Sequence, residues 1–444
     1  MDLLIKKKRT IWSSIFSLVD KVLRVIIGIF VGVWLARYLG KSDFGDLNFS
    51  LSIVAITSVL TSGFGPLIVK EFMHSNDNES TFLSSALLLQ FIYGMISFII
   101  PCLAVYFFYK FEDYEVYKFI VILSIPNVLK FTDIFRSFFE SKFLTFEIVA
   151  IEFIIFLLIT VIRIFFIVNE FQNIYFIFLI SIESITLSII WAFKFFRVYK
   201  TPISLTINAS YLLNLFNLSF PIILSGIGII IYMRLDIIMI KYFMGSDKVG
   251  LYSAALRISE GIYFIPMALL SAINPLLLNF YKDKLQYHLL YKNILILLNF
   301  ISLSFCLFFS FTSDFFIQIL YGKDFFGAGE ILVIHIWTTI FVFLGIPLSS
   351  YLIFDHNSKI LFYKTFIGLC INIILNFVLI PLYGLKGAAY ATLITQVLIS
   401  FVLNLAFKSC RAFFYIQLSS FDLRNFPRAF LFFKKNIFAS KLNK

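Results

Sequence analysis

The chain has 444 residues, 60% hydrophobic and 14% charged, with a mean hydropathy of +0.95. Soluble globular domains carry roughly 45–50% apolar residues, and here the surplus is split among many separate runs, so a soluble protein built around one core is excluded. A net charge of +12 would suggest nucleic acid for a soluble chain, but the placement of the bases between the runs supplies another cause and excludes nucleic acid as a partner.

Crossing the hydrocarbon of a bilayer takes a helix of about 20 apolar residues. Runs of that size fall near residues 11–37, 43–69, 82–108, 117–135, 145–168 and 173–193, then 217–242, 249–274, 294–312, 328–353, 361–381 and 387–407. The fold class expected is therefore all-α, a polytopic membrane protein of 12 transmembrane helices. Strands of this length would leave unpaired edges in lipid. The first run is too long and too charged for a cleavable signal peptide. Cys102, Cys306, Cys370 and Cys410 lie in or beside apolar runs without metal-ligand spacing, and are expected to be small apolar residues. The 59 Phe are expected mostly as lipid-facing filler.

Outside the spans, 22 Lys and Arg fall in segments on the same side as the N-terminus and 5 on the other, the remaining 10 of the 37 lying within spans. Basic residues mark the cytoplasmic side, so both termini are expected there. The sequence also repeats. Leu39, Gly40, Phe44 and Gly45, between spans 1 and 2, are echoed 205 positions later by Met244, Gly245, Val249 and Gly250, between spans 7 and 8. An even period of six spans gives two lobes of the same topology. The domains expected are an N-lobe 1–193, a cytoplasmic linker 194–216, a C-lobe 217–407 and a basic cytoplasmic tail 408–444, held at the interface by anionic lipids.

Charges inside the spans carry the functional signal, because each costs about 2.5–3.5 kcal/mol at mid-bilayer. Span 1 holds Asp20, Lys21 and Arg24 near the midplane, with Asp20 and Arg24 four apart on one face. That pair either fixes packing or lines a polar cavity, and Lys21 has no local partner. Arg234 and Asp236 of span 7 point about 160° apart, and Arg257 and Glu260 of span 8 are three apart. Arg234 and Arg257 lie at similar depth, roughly 12 Å from the outer ends of their helices. Lys130, Asp133 and Arg136 of span 4, with Glu147 and Glu152 of span 5, read either as an inner gate of ion pairs or as interfacial anchors. Glu183 in span 6 has no local cation; it reads as a protonation site or as a neutral packing carboxyl. Arg163 is near enough to a surface to snorkel, and a lone His335 reads as a packing residue. No phosphate loop, HExxH or GxSxG is present, and no outer loop is long enough for a catalytic site, so no enzyme and no metal site is expected.

A series of loose motifs occurs in order: Arg37-Tyr38-Leu39-Gly40 with Phe44-Gly45, Phe220-Pro221 with Arg234-Leu235-Asp236, and Val249-Gly250-Leu251-Tyr252-Ser253-Ala254-Ala255-Leu256-Arg257. Leu320-Tyr321-Gly322-Lys323-Asp324-Phe325 and Pro381-Leu382-Tyr383-Gly384 with Gly387-Ala388-Ala389-Tyr390 complete it. Through these the chain resembles the multidrug/oligosaccharidyl-lipid/polysaccharide (MOP) superfamily over nearly its whole length, and within it the Wzx-type O-antigen flippases. The resemblance implies two six-helix lobes that rock between inward- and outward-open states. It implies a substrate of undecaprenyl-pyrophosphate-linked oligosaccharide, taken from the cytoplasmic to the periplasmic leaflet among membrane lipids, with a polysaccharide polymerase and a chain-length regulator as protein partners. The pyrophosphate needs cations, and Lys21, Arg24, Arg234 and Arg257 are available as substrate-binding residues. With no nucleotide site the drive would be H+ or Na+ coupling, on Asp20, Glu183, Asp236 or Glu260, and no other cofactor is expected. The rivals are a multidrug exporter of the same fold, which would favour an acidic cavity, and an O-antigen polymerase or ligase, which would need a long periplasmic loop.

Overall fold

A computed structural model of the chain describes residues 2–62, 64–74, 79–109, 114–142, 144–199, 209–355, 357 and 359–433. Among these residues there is no strand. In chain order the helices are α1 (Asp2–Ser62), α2 (Gly65–His74), α3 (Glu79–Tyr109), α4 (Tyr114–Leu129), α5 (Asp133–Ser141), α6 (Thr145–Val168), α7 (Asn173–Val198) and α8 (Ala209–Met244). They continue with α9 (Ser246–Gly261), α10 (Phe264–Phe280), α11 (Lys284–Tyr321), α12 (Ala328–His335), α13 (Thr338–Phe354), α14 (Lys359–Tyr383), α15 (Leu385–Ser400), α16 (Lys408–Ser420) and α17 (Phe426–Phe433).

Nine helical stretches among the described residues are long and apolar enough to cross a membrane, and the α12–α13 pair, bent by 42°, makes a tenth. The first stretch, Val19–Met73, holds two crossings because α1 is broken at Gly40. A further broken crossing runs from α4 through a single 3-10 turn, Lys130–Thr132, into α5. Twelve spans result, at the places the apolar runs put them; the run at 145–168 is α6 residue for residue.

Broken helices in lipid must have their freed backbone groups satisfied by other parts of the protein. At the α12–α13 bend the Ile336 carbonyl accepts from the Cys306 thiol of α11 at 3.2 Å. At the α4–α5 break the Lys130 carbonyl accepts from Gln90 Nε2 of α3 at 3.3 Å. The α11 N-terminus is closed by Asp283, whose Oδ1 accepts from the Leu285 and Gln286 amides at 3.1 and 3.2 Å.

The repeated joint has a backbone reason. Gly40 (φ 73°, ψ 174°) and Gly245 (φ 83°, ψ 178°) share one conformation, in a region essentially open to glycine alone. Each is followed directly by the next helix, so the chain turns without a loop.

By its contacts the chain divides into two compact units, residues 1–238 and 239–444. The division falls inside α8, the helix that sequence periodicity assigns to the start of the C-lobe. In the first unit Ser219 of α8 bonds the Tyr93 hydroxyl of α3 at 3.0 Å. The core there is aromatic: Phe135 stacks on Phe195 at 4.4 Å, and Phe138 packs edge-on against Phe72 and Phe195. Part of the phenylalanine expected at the lipid surface thus builds the interior. In the second unit the tail forms α16, which buries Cys410, Phe413, Gln417 and Ser420 at helical spacing. The middle of the expected linker, 200–208, and the end of the tail, 434–444, lie outside the described residues.

Candidate functional site

In the first unit, helix spacing alone brings Asp20 and Arg24 together: Arg24 Nε donates to Asp20 Oδ1 at 2.8 Å. Asp20 is 8% exposed, and the Arg24 guanidinium lies 5.3 and 6.0 Å from the ring centres of Phe156 and Phe153 on α6. The pair is therefore neutralised within α1 and wedged against α6. Lys21, one position on, is exposed. Glu183 of α7, expected without a local cation, has one: Arg163 Nη2 of α6 stands 4.0 Å from Glu183 Oε2. That corrects both residues, since Arg163 turns inward to α7. No spacing along one helix encodes this contact, because the partner comes from a neighbouring element.

Arg234 and Asp236 belong to the first unit as well, and Arg257 and Glu260 to the second. Asp236 is 3% exposed and accepts from the Ile237 amide at 2.8 Å. Arg234, Arg257 and Glu260 are half-buried. His335 is buried, with Nδ1 2.8 Å from the Ser259 hydroxyl of α9, a packing contact between α9 and α12.

The charges of spans 4 and 5 gather around a cavity inside the first unit. Arg136 Nε donates to Glu152 at 2.7 Å and Nη1 to Glu140 at 3.0 Å, while Lys194 of α7 pairs with Glu147 at 2.6 Å. The cavity, about 350 Å³, is lined by Thr61, Gln90, Lys130, Asp133, Arg136 and Glu152 with Ser184 and Ser188. A second, about 290 Å³, has Ser58, Asn127 and Ser181 in its wall. Lys130 and Ser184 line both, so the two adjoin. Gln90 and Asn127, each 2% exposed, hold the walls in place: Gln90 Nε2 donates to the Thr61 carbonyl at 2.9 Å, and Ser58 donates to Asn127 Oδ1 at 3.1 Å. Among the described residues no group of three or more His, Cys, Asp or Glu side chains is placed to hold a metal.

With this geometry in hand, comparison decides the family. Residues 11–281 match the family described as polysaccharide biosynthesis protein. The chain belongs to that family. Residues 221–378 also match the MatE family. No curated protein sequence matches. Among solved structures, the lipid II flippase MurJ in an inward closed conformation has 20% identity and a TM-score of 0.72, covering 97% of this chain and 100% of its own. An inward-facing MATE-family multidrug resistance transporter of the MOP superfamily has 14% identity and a TM-score of 0.69, covering 90% of this chain and 96% of its own. A MOP superfamily transporter from Pyrococcus furiosus, whose binding pocket is described as reversed in polarity, has 12% identity and a TM-score of 0.60 over 94% of this chain and 96% of its own. The fold is that of the MOP transporters.

Reasoning from charge alone misses several polar residues of this polysaccharide biosynthesis protein. Gln90 and Asn127 are neutral amides in mid-span, and a search for mid-span amides would have found them. In the second unit Lys364 is 3% exposed and donates to Asn404 Oδ1. Asn404 in turn donates to Gln417 Oε1 at 2.7 Å, and Gln417 Nε2 donates to the Leu344 and Ser400 carbonyls, both at 3.1 Å. The tail helix is thus fixed to its unit by hydrogen bonds the sequence does not advertise.

Proposed function

We propose that this chain is a flippase, moving undecaprenyl-pyrophosphate-linked polysaccharide repeat units from the cytoplasmic to the periplasmic leaflet of a bacterial inner membrane. The match to the polysaccharide biosynthesis family over residues 11–281 carries the reading. The chemistry is consistent with it. A polyprenyl tail stays in lipid while the sugar needs a hydrated path, and the pyrophosphate needs cations that the membrane tolerates only in a polar interior. Lys21, Arg24, Arg234 and Arg257 supply them, Arg24 with its charge already shared with Asp20. An ion gradient supplies the drive by alternating access, each state binding the substrate or the ion with different affinity.

The test is complementation of a strain lacking a repeat-unit flippase, at matched expression. Arg234→Ala is expected to lose surface polysaccharide, and Lys118→Ala, whose ammonium pairs on the surface with Glu115 at 2.7 Å, to keep it. Equal outcomes would remove Arg234 from the substrate path. The match of residues 221–378 to the MatE family favours a second reading, export of small drugs. Raised drug resistance in a pump-deficient strain, without restored polysaccharide, would establish that reading instead.

A further inference from the structure

The cavity of the first unit contains two charges that its ion pairs leave over. Arg136 is engaged by Glu152 and Glu140. Lys130 and Asp133 stand on the 3-10 turn that breaks the fourth span and at the residue that ends it. In such a turn positions i and i+3 lie one above the other, so the ammonium and carboxylate are neighbours and feel each other's charge. Yet among the described residues the two make no ion pair within 4.0 Å and no side-chain hydrogen bond. Beside them Gln90 Oε1 is buried and lacks a hydrogen-bond partner.

The lining decides what such a site takes. Lys130 and Arg136 balance Asp133 and Glu152, so neither an anion nor a metal cation meets a net opposite charge. From α1, α3 and α7 the wall is uncharged: Thr61, Ser62, Gln90, Ser184 and Ser188. Donors line the cavity, but among the described residues none reaches the Asp133 carboxylate or Gln90 Oε1, and an ionised carboxylate and an amide oxygen can only accept. A proton on Asp133 provides a donor there.

We propose that Asp133 is a proton-binding carboxyl with Lys130 as its charge partner, and that this site at the α4–α5 break is where the first unit takes up and releases the proton that drives transport. With Asp133 ionised, its attraction for Lys130 draws the two ends of the turn together. Protonation removes that attraction and leaves the break open. Proton binding stands on the cavity alone, whereas its coupling to transport rests on the flippase reading.

Infrared pH titration of the purified full chain in lipid nanodiscs tests it. The wild type is expected to show a carbonyl band of a protonated carboxyl that grows as pH falls. That band should be absent in Asp133→Asn and displaced in frequency in Asp133→Glu. In Lys130→Gln its midpoint should move up by about one unit, because the lost ammonium no longer favours the carboxylate. Identical spectra for wild type and Asp133→Asn would overturn the site, as would an unmoved midpoint in Lys130→Gln. Should Asp133→Asn fail to run as a single species, the Asp133→Glu frequency shift carries the test. Complementation separates the second step. Full rescue by Asp133→Asn would overturn the coupling, while failure of the wild type to rescue would sink the flippase reading and leave the titration result standing.

Discussion

A carboxylate and a guanidinium four residues apart on a helix are ordinary in water, where such a pair contributes a few tenths of a kcal/mol. Asp20 and Arg24 are different, because side-chain exposures of 9% and 25% leave little water to take over if one partner goes. Removing one member of a buried pair costs more than removing both, since it strands a charge. Arg24→Gln is therefore expected to destabilise the purified protein by on the order of 3 kcal/mol, and Asp20→Asn with Arg24→Gln by less than Arg24→Gln alone. Thermal unfolding of the three variants in one detergent checks the order; a double variant that falls lower than the single would show that the pair is not what holds α1 against α6. At this scale the sequence is legible where partners share a helix, as here, and silent where they do not. Glu183 and Arg163 lie 20 positions apart on consecutive spans, and only the packing of α6 on α7 makes them a pair. Lys364 is a further case: its partner Asn404 is 40 positions away.

Elements were easier to read than contacts. Twelve apolar runs became twelve spans because lipid leaves the backbone no alternative to helix. What periodicity could not show is where a span breaks: the Lys130–Thr132 turn interrupts a run that reads as continuous. The tail is a similar case. Its bases suggest a lipid surface, but the four buried positions of α16 are set by what they touch on their own unit. The glycine joints, by contrast, were visible as a repeat and are explained by conformation. A side chain at Gly40 or Gly245 would meet nothing within 4 Å, so the obstacle to substitution is φ and not space. Gly40→Ala and Gly245→Ala are each expected to cost about 1–3 kcal/mol. Gly28, inside α1 with equally open space around it, is the control. There alanine is expected to be neutral or to stabilise by about 0.5–1 kcal/mol, from helix propensity alone. Unfolding midpoints that rank Gly28→Ala with the other two would show that the joints tolerate a side chain after all.

For the whole molecule, the paired joints and the placement of basic residues make a single claim about topology. If each set of six spans starts on the same face of the membrane, the Gly40 and Gly245 joints must emerge on one side and the segment before α11 on the other. From the placement of the basic residues the first side is expected to be the one away from the cytoplasm, since Lys and Arg left between spans resist translocation. Lys41 and Lys248, at the two joints, and Lys284, at the start of α11, are all exposed and so report on this without disturbing a core. In a background with Cys102, Cys306, Cys370 and Cys410 replaced, Lys41→Cys and Lys248→Cys are expected to react with a membrane-impermeant maleimide on intact cells. Lys284→Cys is expected to react only after the membrane is opened. Labelling of one joint without the other would break the even repeat, because an odd number of crossings would then separate them. Labelling of Lys284→Cys in place of both would keep the repeat and reverse the orientation. The cytoplasmic entry assumed for the lipid-linked sugar would then fail, since the span ends nearest Arg136 and Glu152 would face the wrong compartment.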